Sequence, residues 1–186
     1  LEMLGNDREH SLQLTRSGNT LLDKIASYVM KKNLPSYTEG HFRKVVGNDE
    51  MVWNGPGVNI PTISISRARP EKPHYPEYHT SDDTPRIITE SRLQGSRDII
   101  LKIVDILDNN YTPKRTFMGP VFLSKYGLWI DWRTNRALNQ AMEQIMLRLE
   151  GDKTIFEIAE EVGLDFWEVK KYLDQFAERK LIKKVW

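Results

Sequence analysis

Thr62-Ile63-Ser64-Ile65-Ser66 alternates apolar and polar side chains and closes on Arg67. That period-two pattern is the signature of a strand with one buried face. Residues 68–86 follow as a long loop carrying Pro70, Pro73, Pro76 and Pro85. An apolar helical pattern then runs over Ser91–Leu107, with Leu93, Ile99, Ile100, Ile103, Val104 and Leu107 expected as its buried stripe. Upstream, Leu12-Gln13-Leu14-Thr15 alternates like a second strand, and Ser17-Gly18-Asn19 reads as a turn. Asn19 or Thr20 can cap a helix running to about Asn33, with Leu21, Leu22, Ile25 and Val29 on one face; Pro35 stops it. Gly47–Gly57 is rich in loop residues, interrupted by Met51-Val52-Trp53. Strands interleaved with helices give the α/β class.

The long loop holds the chemistry. Glu77-Tyr78-His79-Thr80-Ser81-Asp82-Asp83 sets an imidazole beside hydroxyls and carboxylates, where flanking prolines forbid a long helix. Polar loops between ordered elements are where ligands and catalytic groups concentrate, and His is the commonest metal ligand. His79 reads as a metal ligand or as a hydrogen-bonded loop residue. Asp82 or Asp83 can accept from its ring and fix the tautomer, or can cap the loop before Pro85. Arg67, at the strand end, has the planar fork that grips a substrate carboxylate, or it pairs with a neighbouring acid. Tyr78 can donate to a developing oxyanion or simply pack. His10, His41 and His74 lack ligand spacing and are expected at the surface or in loops. Trp53 and Trp129 are expected in the core or at an interface.

The last third reads differently. Residues 111–133 are too apolar for a free linker and are expected to form an ordered connector. Asn135–Leu149 carries Leu138, Met142, Ile145, Met146 and Leu149 in helical register, and Gly151 stops it. Thr154 caps a second helix to Val162, with Glu157 completing a capping box. Gly163 makes the turn. Asp165 caps a third helix with Phe166, Val169, Leu173 and Phe176 inward, and Leu181–Trp186 is a final strand. Three helices with a Gly turn and a closing strand give a winged helix-turn-helix pattern. On the third helix Asp165, Glu168, Asp174 and Glu178 balance Lys170, Lys171, Arg179 and Lys180. Phosphate contacts need net positive charge, so this balance argues against DNA and for packing on protein.

Composition narrows the classes further. The 186 residues allow one medium or two small domains, and an apolar fraction of 39% can build a core. With no Cys, disulfides and thiolate metal sites are excluded, and a reducing, cytoplasmic setting is expected. A net charge of +1 gives no general pull toward nucleic acid or anionic membranes. No apolar run approaches the roughly 20 residues of a membrane span. Leu1-Glu2-Met3-Leu4-Gly5 starts like the middle of a strand, so Leu1-Glu2 is either a cloning remnant or part of a longer polypeptide.

Gly47-Asn48-Asp49-Glu50, Gly55-Pro56-Gly57, Asn59-Ile60-Pro61, Ser66-Arg67 and Glu77–Asp82 together resemble the C-terminal half of a zinc aminopeptidase-like domain of the M28 kind. The likeness is to the bacterial group labelled polysaccharide-biosynthesis proteins with an aminopeptidase-like domain, in which a small winged-helix domain follows. It implies part of a three-layer α/β/α sandwich with a mixed sheet over residues 1–112, a connector over 113–133 and a winged helix-turn-helix domain over 134–186. It also implies two zinc ions that activate water to hydrolyse an N-terminal peptide bond or small amide. His79 would be one ligand. Glu2 would stand where related proteins usually have Asp, unless it is an ordinary strand carboxylate. The remaining ligands and the general base would lie upstream of Leu1, so these residues alone are expected to be inactive and to bind zinc weakly. The first region is then expected to need sheet neighbours from the rest of its own polypeptide or a partner copy. The alternative is a non-catalytic winged-helix module, a DNA-binding regulator or an assembly factor.

Overall fold

Strand β1 (Ser11–Gln13) is buried at all three positions and forms the centre of a three-stranded mixed sheet of order β2-β1-β3. The structure is a computed structural model describing Leu1–Trp186. It divides into two units, Leu1–Leu107 and Asp108–Trp186.

In the first unit, helix α1 (Leu21–Asn33) carries the chain from β1 to β2 (Thr38–Gly40), which runs parallel to β1 with Leu12 opposite Glu39. A parallel pair needs such a crossover, and a helix supplies it. Strand β3 (Ser64–Ser66) lies antiparallel on the other side, with Leu12 opposite Ile65. Glu2 forms a parallel bridge with Ser66 outside the named strands. The polar residues of β1 are buried, and the Ser11 hydroxyl and the Gln13 side-chain oxygen have partners. The Ser11 and Ser66 hydroxyls are 2.8 Å apart, and Gln13 Oε1 accepts from the Val45 and Val46 N–H groups at 3.1 Å.

Thr20 caps α1 and forms a capping box with Asp23. Asp23 is only 2% exposed and accepts more than the box requires. Its Oδ1 takes the Thr15 N–H at 2.7 Å, and its Oδ2 takes the Thr15 hydroxyl at 2.6 Å, the Thr20 N–H at 2.8 Å and the Thr20 hydroxyl at 2.7 Å. One carboxylate therefore ties the loop after β1 to the start of α1 and offsets the orphan donors there. Ile25, Ala26, Val29 and Met30 are the buried face of α1, while Leu21 and Leu22 are half-buried.

Met51–Trp53 belong to a single helical turn, α2 (Glu50–Trp53), and Trp53 is 53% exposed rather than in the core. Helix α3 (Glu90–Asn109) buries Ser96, Ile99, Ile103 and Ile106. Its buried stripe is rotated from the expected one, since Leu93 and Val104 are 44% and 41% exposed. A small polar residue, Ser96, stands where the helix meets the buried side chains of His10 and Arg67, which flank β1 and β3.

The second unit has strand β4 (Thr112–Arg115) antiparallel to β5 (Ile182–Val185), with helices α4 (Arg136–Met146), α5 (Ile155–Val162) and α6 (Phe166–Glu178) between them. Asn135 caps α4, Thr154 and Glu157 make the capping box of α5, and Asp165 caps α6. Gly163 closes α5 at φ +69°, with no atom near the place a Cβ would fill, so backbone conformation alone calls for glycine there. Helix α5 packs on α6 and α4, and α6 packs on β5. Phe166, Val169, Leu173 and Phe176 are all fully buried.

Asp174 on α6 gathers the sheet of this unit. It accepts from Lys170 Nζ and Lys184 Nζ at 2.6 Å each and from the Tyr111 hydroxyl at 3.0 Å. Desolvation works against its ionised form, but the hydrogen bonds from Lys170, Lys184 and Tyr111 prevail and hold its carboxyl below the usual range. Burial, with the Asp174 charge beside it, pushes the Tyr111 phenol upward. No helix in the structure is long and apolar enough to cross a membrane.

Candidate functional site

Two features of the first unit bear on function: the Tyr75–Asp83 loop and the edge of the sheet at β3. In the loop, His79 has a left-handed backbone, φ 60°, which non-glycine residues adopt at a cost and which recurs at functional sites. Its exposed ring stacks on Tyr78, with centroids 3.9 Å apart and planes within 15°. Tyr78 in turn meets His74 and Tyr75 edge-on, at 4.9 and 5.4 Å. Thr80 and Asp83 close the turn through N–H bonds to the carbonyls of Glu77 and Thr80. The imidazole is therefore held in one orientation and open to solvent.

Asp83 and Asp82 make other bonds in the loop, Asp83 through its carboxylate and Asp82 through its backbone. Asp83 Oδ2 accepts from the Tyr75 hydroxyl at 3.0 Å, and burial with that bond pushes the Tyr75 phenol up to about 12. Asp82 receives the Thr84 N–H on its carbonyl at 2.8 Å, shaping the turn before Pro85. His74 lies in the loop, one of the two places expected for it, but it is buried there, and its Nδ1–H donates to the Arg69 carbonyl at 2.8 Å.

At the sheet edge, the bridge to Ser66 sets Glu2 beside the end of β3, which Arg67 follows. The Glu2 carboxylate accepts from the Asn48 amide at 2.9 Å. The Asn48 N–H is held by the buried Glu50 carboxylate at 2.8 Å, and Arg43 pairs with Glu50 at 2.9 Å. The Gly47–Glu50 motif thus forms one polar chain from Arg43 to Glu2.

Arg67 is 5% exposed and has no carboxylate partner. Its Nε donates to the Ser96 hydroxyl at 3.1 Å and its NH1 to the Arg8 carbonyl at 2.6 Å. Ser96 donates its single proton to the Leu4 carbonyl at 3.0 Å. The third group on Ser96, His10 Nε2 at 3.0 Å, must therefore carry the proton of that bond. His10, expected at the surface or in a loop, lies in the segment before β1 and is buried there. Burial, with Arg67 and Arg92 nearby, brings its pKa down to about 4, so it is neutral at physiological pH. Desolvation and the Arg92 charge also lower the pKa of Arg67. The sequence pattern missed this network because its members lie far apart in the chain.

A catalytic zinc normally takes three protein ligands and a water. No group of three or more His, Asp or Glu side chains is placed to hold a metal ion. His79 is stacked on Tyr78, and Glu2 is bonded to Asn48. These residues by themselves do not fit a complete zinc centre.

Comparison with known proteins adds three findings. The chain is 25% identical over 179 residues to a Clostridium acetobutylicum protein named "Putative polysaccharide biosynthesis protein with aminopeptidase-like domain", covering 92% of this chain. It spans 39% of that relative's length. Its fold matches a crystal structure named "putative peptidase", also from Clostridium acetobutylicum, with a TM-score of 0.79 over 98% of this chain and 40% of the other, at 23% identity. A mixed α/β architecture with a mixed sheet is thus shared with a peptidase-like structure. Residues 1–110 match a family model, and the chain belongs to that family, described as a domain of unknown function (DUF4910).

Proposed function

We propose that the chain is part of an aminopeptidase-like hydrolase that cleaves an N-terminal peptide bond or a small amide. In this reading the unit Leu1–Leu107 belongs to a three-layer α/β/α domain. The second unit is a winged helix-turn-helix module with β4 and β5 as its wing, and residues 116–133 connect β4 to α4. The observation that carries the reading is His79, an exposed imidazole fixed by an unusual backbone and by stacking on Tyr78. The names carried by the relative and by the similar structure support it.

Zinc belongs to this proposal as the cofactor of the longer protein, as two ions, with His79 and Glu2 the donors these residues could contribute. Arg67 is proposed to hold the backbone around the site, since its hydrogen bonds run to Ser96 and Arg8. Tyr78 fixes the His79 ring, and Asp82 and Asp83 set the turn that carries it. A role in surface-polysaccharide synthesis rests on the relative's name.

The test is release of N-terminal residues from a peptide and amide panel by a protein carrying this chain at the full length of its relatives. His79→Ala should abolish release while leaving the thermal transition in place. An unchanged rate would remove His79 from the reaction.

A second reading makes the second unit a DNA-binding module. Its charge pattern weighs against that: Lys170 and Lys184 are both held by Asp174 instead of standing free on the surface. Duplex binding that is submicromolar and falls steeply with salt would favour this second reading.

A further inference from the structure

Arg67 carries an uncompensated charge. Its guanidinium is almost wholly removed from water, and no carboxylate meets it. Burying a cation without a counter-charge is costly, and neutral hydrogen bonds offset only part of that cost. Two of its three nitrogens are in use, Nε on the Ser96 hydroxyl and NH1 on the Arg8 carbonyl. The third, NH2, meets no acceptor in the chain. Its neighbour is Gly95 on α3, where an added Cβ would stand 3.7 Å from NH2. Glycine inside a helix is unfavourable relative to alanine. Gly95 is also partly exposed, so this position without a side chain marks an approach from the surface to NH2.

A second guanidinium stands on the same face of α3. Arg92 precedes Gly95 by three residues and Ser96 by four, the spacing that aligns side chains along one helix face. It is exposed and pairs with no acid, and its charge lowers the pKa of both Arg67 and His10. Its own N–H lies in the first turn of α3, 3.4 Å from the Thr89 hydroxyl. A helix N-terminus carries partial positive charge, so a cation is unfavourably placed there. The acids near these residues in sequence are engaged elsewhere. Glu90 accepts from Gln94 at 2.9 Å, Glu9 accepts from the Ser36 hydroxyl at 2.6 Å, and Asp7 lies 4.0 Å from Arg8. Neutral His10 adds no charge. Two cations and a helix N-terminus thus converge with no anion from the chain.

We propose that Arg67 NH2 and the Arg92 guanidinium form a binding site for a doubly charged oxyanion of the phosphate type, either inorganic phosphate or the phosphoryl group of an ester. A two-pronged grip on a flat carboxylate needs two nitrogens of one guanidinium, and on Arg67 one of them would have to be shared with Ser96 or Arg8. A tetrahedral anion takes one donor from each of two guanidiniums instead, and its charge matches the two cations. This inference is independent of the hydrolase reading and uses neither His79 nor a metal.

Titration calorimetry of the 186-residue chain with sodium phosphate tests it, in metal-free buffer at constant ionic strength. The expected result is saturable binding at one site. Phenyl phosphate binding as well would make an ester the source, and inorganic phosphate binding alone would make it the free ion. Acetate should bind more weakly than either. Arg92→Ala, at an exposed position, should weaken phosphate binding by about tenfold or more, the effect of one charge-assisted hydrogen bond. Gly95→Glu sets a carboxylate beside Arg67 NH2 in place of the anion. It should abolish phosphate binding and melt at a higher temperature than Gly95→Gln, its uncharged match, which a purely structural role for Arg67 does not require. Circular dichroism melting checks that each variant folds. The proposal is overturned by the absence of saturable phosphate binding, by equal binding in Arg92→Ala, or by a Gly95→Glu chain that melts no higher than Gly95→Gln. Acetate binding as tight as phosphate overturns the choice of a doubly charged anion.

Discussion

The Arg67 guanidinium and the His10 imidazole donate to one oxygen, the Ser96 hydroxyl, at 3.1 and 3.0 Å. That shared acceptor joins the end of β3, the chain entering β1 and helix α3. Burial, with the Arg67 and Arg92 charges nearby, keeps His10 neutral in this network.

Stability should therefore depend on pH through His10. Its pKa in the folded chain is about 4, against an ordinary value of 6.5 when unfolded. The unfolded chain binds the proton first, so the contribution is complete above pH 6.5 and is lost as pH falls toward 4. The loss is at most about 3 kcal/mol at 1.36 kcal/mol per pKa unit. Urea unfolding of the first unit across this window measures it. His10→Gln should flatten the dependence and lower stability at pH 7.5; an equally steep profile in the variant would exclude His10 as the source.

Asp23→Ala should be among the most damaging substitutions in the first unit. It strands the Thr15 and Thr20 N–H groups and opens the capping box at the start of α1. Losing a buried charged acceptor with several donors is expected to cost about 3 kcal/mol or more. Asp23→Asn should recover only part of that, since its amide brings N–H groups to oxygens that face donors. Chemical denaturation followed by tryptophan fluorescence reads both.

Asp174→Asn should weaken the second unit more modestly, by about 1 kcal/mol, because its lysine partners are partly solvated. The loss should shrink in high salt. A salt-independent loss would mean that the Tyr111 hydrogen bond, rather than the lysines, is what Asp174 supplies.

The sequence was most legible where structure is local. The caps of α5 and α6, the Gly163 turn and the inward face of α6 follow from neighbours within a turn or two, and each stands where the pattern puts it. Strand β2 was missed because Thr38–Gly40 has no alternation of its own and is a strand only through pairing with β1. The buried face of α3 was misjudged because Ser96 turns inward to meet Arg67 and His10, which apolar periodicity cannot register. For the same reason the burial of His10 was not legible. Trp53 and Trp129, read as core or interface, are exposed in this chain. In the loop, the sequence drew attention to His79, but its left-handed backbone and its stacking on Tyr78 emerge only in three dimensions.

The hydrolase proposal assigns His79 to a metal centre whose remaining donors would lie outside these residues. Zinc titration of the 186-residue chain should give weak binding only, because no group of three donors is assembled. Tight stoichiometric uptake by the isolated chain would show that the donors are already complete.

The most direct measurement is the zinc content of the longer protein, wild type against His79→Ala, by elemental analysis after exhaustive dialysis. The wild type should hold two zinc ions per chain and the variant clearly fewer, with an unchanged melting profile in metal-free buffer. Equal zinc in both proteins, or none in the wild type, would contradict it.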